Sequence, residues 1–145
     1  MNITVRSKLS VMMFLQYLIW GAWFVTGYAF LTKKFGFSDG EAASCYATTN
    51  LAAMIAPFFV GMIADRFFSA QKVLAALHLL GGVFIYLASQ QTTFAGFYPL
   101  ILAHTLCYMP TMALTNSVAF AQMSDPGKEF PTIRVLGTIG WIAAG

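Results

Sequence analysis

Residues 9–31 read Leu9-SVMMFLQYLIWGAWFVTGYAF-Leu31, an apolar run without a single Lys, Arg, Asp or Glu. A helix needs about 20 apolar residues to cross the hydrocarbon of a bilayer. The run therefore predicts a membrane-spanning helix. Arg6 and Lys8 ahead of it look like the basic start of a secretory signal. A signal core, however, is only about 7–15 residues long and is not followed by further spans, so the segment is read as retained.

Comparable runs lie downstream, at about 41–64, 73–90 and 97–121, with no charge in their interiors. A fifth begins near Pro131 and reaches Gly145. At about 1.5 Å per residue it rises about 22 Å, short of a hydrocarbon core about 30 Å thick. A terminal carboxylate at that depth is costly. The expectation is an amino-terminal fragment cut within its fifth span: an all-α, polytopic transmembrane bundle with four full spans and part of a fifth.

Composition agrees. Apolar residues make up 59% of the chain and charged residues 9%, against about 45–50% and about 25% in soluble domains. The net charge of +3 comes from scattered Lys and Arg, with no basic patch or motif for nucleic acid. Cys45 and Cys107 sit in apolar stretches without metal-ligand spacing. His78 and His104 fall on different helices, with Cα atoms expected roughly 10 Å apart along the membrane normal, so no shared metal is expected. No paired intramembrane carboxylates and no phosphate loop are present, and no enzyme or cofactor is predicted.

Charge sets the orientation. Arg6, Lys8, Arg66, Lys72, Lys128 and Arg134 fall on one side, and Lys33 and Lys34, offset by Asp39 and Glu41, on the other. Basic residues in short loops stay cytoplasmic, which places the N-terminus inside. Ser38 followed by Glu41 is a capping-box pattern at the start of the second helix. Gln90–Gly96 has turn composition, and Asp125-Pro-Gly is a turn signal within the loop 122–129.

Polar residues inside the spans are the candidate functional groups, because in lipid they must face protein or water. Gln16, Trp20 and Trp23 share a face of the first helix; Tyr46, Asn50 and Pro57 share one on the second. His104, Tyr108, Thr111 and Thr115 form the longest polar stripe, on the fourth helix, with Asn116 adjacent. Interhelical hydrogen bonding accounts for such a stripe as well as a cavity does. On the fifth helix Arg134, Thr138 and Trp141 stand at i, i+4 and i+7. Read alone, Arg134 fits a snorkelling anchor as well as a site residue.

The segment Gly61-MIA-Asp65-Arg66-FFSAQ-Lys72 resembles the signature between the second and third helices of the major facilitator superfamily, with Phe68 or Ser69 where a second Gly is common. A narrower likeness runs along nearly the whole chain. Phe14-Leu-Gln16 with Trp20-Gly21 and Trp23, then Pro57 with Gly61 and Ala64-Asp65, are followed by Tyr108-Met-Pro110-Thr111 with Asn116. Last comes Pro131 through Ile133-Arg134 to Gly137-Thr138-Ile139-Gly140. These resemble the nucleoside–proton symporters of that superfamily.

The resemblance implies a twelve-helix transporter of two six-helix halves, binding substrate near the midplane and rocking to alternate access. Its ligands would be a nucleoside and protons, with no cofactor and no metal. It would be monomeric in full length, in the bacterial cytoplasmic membrane. A major facilitator of another substrate, such as a sugar or organic ion, is the alternative. Arg134, Thr138 and Trp141 match the family's substrate-path positions, the last often Phe. Gln16, Trp20, Tyr108, Thr111 and Asn116 are candidate cavity-lining residues, and Gly61, Asp65, Arg66 and Lys72 the structural loop signature. The proton-carrying acids are expected in the second half.

Overall fold

Five α-helices follow one another in the described part of a computed structural model: α1 (Ile3–Lys33), α2 (Asp39–Phe59), α3 (Ala70–Ser89), α4 (Phe94–Phe120) and α5 (Pro126–Ala144). The described residues are 2–59 and 69–145, and no strand occurs among them. Gly61, Asp65 and Arg66 of the loop signature lie outside them. Lys72 lies in the first turn of α3, its N–H bonded to the Ser69 carbonyl at 2.9 Å. By length and composition α1, α3 and α4 are each sufficient to cross a membrane.

The helix ends follow from local chemistry. At α2 the Ser38 N–H donates to Glu41 Oε2 (2.8 Å), and the Glu41 N–H donates back to Ser38 Oγ (3.3 Å). This reciprocal pair satisfies two donors that a helix start leaves without partners. Between α1 and α2 the backbone turns at Gly36, at φ 70°, a left-handed conformation that glycine adopts without a Cβ clash. The segment Asp125-Pro-Gly, which reads as a turn, instead begins a helix. Asp125 caps α5 by accepting from the Lys128 N–H (3.3 Å), and Pro126 takes the first position. Proline costs nothing there, because its missing N–H has no intrahelical acceptor anyway. The helix thus starts ahead of Pro131, where the apolar run begins.

The helices divide into two compact units, residues 1–27 with 115–145, and residues 28–114. In the first, α1 and α5 meet backbone to backbone. A Cβ on Gly140 would run into the Phe14 carbonyl, and one on Gly21 would stand 2.8 Å from the Trp141 carbonyl. Small residues at such a crossing let dispersion contacts form along both backbones, the main source of helix association in lipid. Met13, Ala119 and Ile133 are fully buried here, and Phe120 packs on Phe130 at 4.5 Å between centroids.

In the second unit Phe35, Phe37, Phe94 and Phe97 pack edge to face, with centroids about 6 Å apart. The Tyr28 hydroxyl donates to Asp39 Oδ1 at 2.7 Å. His104 Nδ1–H donates to the Gly81 carbonyl at 2.8 Å, tying α4 to α3. Met54, Phe58, Leu79, Leu80 and Tyr86 are exposed. That much bare apolar surface calls for lipid or protein cover.

Candidate functional site

The site begins on α5. Its buried edge is Ile133, Gly137 and Gly140. Arg134, Thr138 and Trp141 run alongside that edge, as their spacing requires. Arg134 and Trp141 are half-buried and Thr138 is exposed.

Each half-buried member meets an aromatic ring of α1. The Arg134 guanidinium carbon lies 4.1 Å from the centroid of the Tyr17 ring. Trp141 meets Trp20 edge to face, with centroids 4.9 Å apart and planes at 81°. Phe24 completes a three-ring cluster, 5.5 Å from Trp20 and 5.8 Å from Trp141. Such geometries exploit the ring quadrupole and stabilise beyond the burial of area.

Gln16 is 2% exposed, and a buried amide requires partners. One comes from α4, where the Thr115 hydroxyl donates to Gln16 Oε1 at 3.0 Å. Next along α4, Asn116 Oδ1 is buried with no hydrogen-bond partner among the described residues. One unit therefore brings together Gln16, Tyr17, Trp20, Asn116, Arg134 and Trp141.

Tyr108 and Thr111 belong to the other unit. Tyr108 is buried, stacked on His104 (5.8 Å, 18°) and edge-on to His78 (6.1 Å, 82°). The Thr111 hydroxyl donates to the Tyr108 carbonyl of its own helix, and Thr105 does the same to Leu102. Along α4, the Thr105 and Thr111 hydroxyls thus bond back within the helix, and His104 and Thr115 reach across to other helices. Among the described residues no three His, Cys, Asp or Glu gather as metal ligands do.

Nothing in the sequence marks Tyr17 and Phe24 apart, although Tyr17, Trp20 and Phe24 follow i, i+3 and i+7. An aromatic face is the ordinary content of a membrane helix, so spacing alone does not separate it from lipid contact or core.

A family model described as nucleoside H+ symporter matches residues 1–145. The chain belongs to the nucleoside H+ symporter family. Among its relatives, YegT of Escherichia coli (strain K12) is 60% identical over 96% of this chain and 32% of its own length. The nucleoside permease NupG of the same strain is 35% identical over 96% of this chain and 34% of its own. The xanthosine permease of that strain is 36% identical over 97% and 35%. The chain thus spans about a third of the length of the curated relatives it matches. A crystal structure of nucleoside transporter NupG superposes with a TM-score of 0.93 at 32% identity, covering 99% of this chain and 36% of that one. The helices therefore have the major facilitator fold, as the sequence resemblance implies, and the family and its apolar helices make this a membrane protein.

Proposed function

We propose that this chain is the amino-terminal part of a twelve-helix transporter that imports nucleosides by proton symport through alternating access. Its N-terminus faces the cytoplasm, and it works as a monomer in the bacterial cytoplasmic membrane. The observation that carries the reading is the joining of Arg134 and Trp141, on one face of α5, to the Tyr17 and Trp20 rings of α1, in a chain of the nucleoside H+ symporter family. The nucleoside and xanthosine permeases among its relatives support that substrate class.

The chemistry suits the substrate. A nucleobase offers a flat face for stacking on an aromatic side chain, which Trp141, braced by Trp20, supplies. Ribose hydroxyls and ring heteroatoms pair with amide and hydroxyl groups, which Asn116 and Thr138 supply. The Arg134 guanidinium presents a fixed fork of donors to carbonyl oxygens and ring nitrogens. Proton coupling resides in acidic groups of the second half, since none lies within the apolar runs here.

The test is uptake by the full-length protein in proteoliposomes. Tritiated uridine, adenosine or xanthosine should accumulate when the lumen is alkaline and stop doing so when the gradient is collapsed. Accumulation indifferent to the gradient would refute symport. A competition panel of sugars and organic ions separates this reading from a major facilitator of another substrate.

A further inference from the structure

Arg134 sits about 13 Å along α5 from its Asp125 cap, in a helix whose neighbours are apolar. Among the described residues its guanidinium forms no hydrogen bond and no ion pair. A flexible cation in that position tends to extend toward the headgroups. It does not do so here, since its guanidinium carbon lies 4.1 Å over the Tyr17 ring. The negative face of an aromatic ring attracts a cation, and more strongly where water is excluded.

Tyr17 is itself held in place. It is 8% exposed and lies against Gly137. A methyl group on Gly137 would stand 2.6 Å from Tyr17 Cδ2 and 2.9 Å from Arg134 Nη1. The missing side chain is thus a notch that ring and guanidinium share. On its other side Tyr17 packs on Trp20 at 6.4 Å, and Trp20 in turn meets Trp141. A continuous line of contacts therefore runs from the guanidinium to the indole of Trp141.

We infer that Tyr17 is a positioning residue: its ring, seated in the Gly137 notch, holds the Arg134 guanidinium beside the substrate path and away from the membrane edge. The inference rests on the substrate role proposed for Arg134. Tyr17 acts through Arg134 by the electron density of its ring face, so neither its hydroxyl nor its bulk alone is sufficient.

The test varies that electron density at constant shape. In the full-length transporter in nanodiscs, Tyr17 is replaced by Phe and then, by nonsense suppression, by mono-, di- and trifluorophenylalanine. Calorimetry gives Kd for the tightest binder among uridine, adenosine and xanthosine. Y17F should bind within about twofold of the parent, and Kd should climb with each fluorine to roughly fivefold or more at three. A flat series overturns the inference, because packing alone is indifferent to ring electrostatics. The Arg134→Ala variant separates the two claims. If it binds as the parent does, the substrate role of Arg134 falls and this inference falls with it. If it binds poorly while the fluorine series stays flat, only the role of Tyr17 is lost.

Discussion

Gly140 of α5 rests directly on the Phe14 carbonyl of α1, with no room for even a methyl group between them. This contact sets how near Arg134 and Trp141 come to the rings of Tyr17 and Trp20. Replacing Gly140 with Ala forces the helices apart, at a cost typical of overpacking, about 1–3 kcal/mol. Gly82→Ala is the control, since a Cβ there meets nothing within 4 Å. It should be neutral or stabilising by up to about 1 kcal/mol. Thermal unfolding of the full-length protein in detergent checks both. Equal melting temperatures for the two variants would show that the α1–α5 approach is not tight.

The Gln16–Thr115 bond predicts a coupling between α1 and α4. Thr115→Val keeps the shape and removes this donor to Gln16 Oε1, at a cost of about 1–2 kcal/mol in a membrane interior. Gln16→Leu should cost a similar amount. The double variant should lose less than the sum, because the two changes remove the two ends of one bond. Strict additivity in denaturant unfolding would mean that the bond carries no energy.

Arg134→Lys should lower nucleoside uptake on the order of tenfold or more while leaving the melting temperature nearly unchanged. Lysine keeps the charge but lacks the planar fork and its stacking face. Initial uptake rates at matched expression measure this. Uptake at the parent rate would remove Arg134 from the substrate path.

Trp141→Phe should retain transport and shift the ranking among nucleosides, since a smaller ring keeps a stacking face but withdraws from Trp20. Trp141→Ala should lose an edge-to-face contact of about 0.5–1.5 kcal/mol as well as the stacking platform. Competition of unlabelled nucleosides against tritiated uridine gives the ranking. An unchanged ranking in both variants would place the base elsewhere.

At the cap of α5, Asp125→Ala removes the side-chain acceptor of the Lys128 N–H and leaves it the Asp125 carbonyl. The expected cost is about 0.5–2 kcal/mol, confined to the first turn. Hydrogen exchange should quicken at 128–130 and stay slow at 137–141. Protection unchanged throughout would make the cap dispensable.

The membrane class, the helical character and the family were all legible in the chain itself. Apolar runs as long as 9–31 have one stable form in lipid, because a helix satisfies every backbone group internally. The capping box at Ser38 and Glu41 was equally plain, being a local bond between residues three apart. The face shared by Arg134 and Trp141 followed from helical periodicity. Asp125-Pro-Gly is the local failure, since the same three residues suit a turn or a helix start, and only the helix that follows decides between them.

The partner that each polar residue finds belongs to tertiary structure. Gln16 requires a hydrogen bond in any fold, but that Thr115 supplies one, from 99 positions away, depends on how α1 and α4 cross. Thr111 looks like Thr115 in the sequence, yet its hydroxyl donates to the Tyr108 carbonyl of its own helix. Arg134 could have extended to the headgroups. The glycine at 137 admits the Tyr17 ring beneath it. Helix formation is a short-range matter of backbone hydrogen bonds and so can be read residue by residue. The meeting of a guanidinium with one particular ring depends on the distance and rotation between two helices, which every contact along their length sets together.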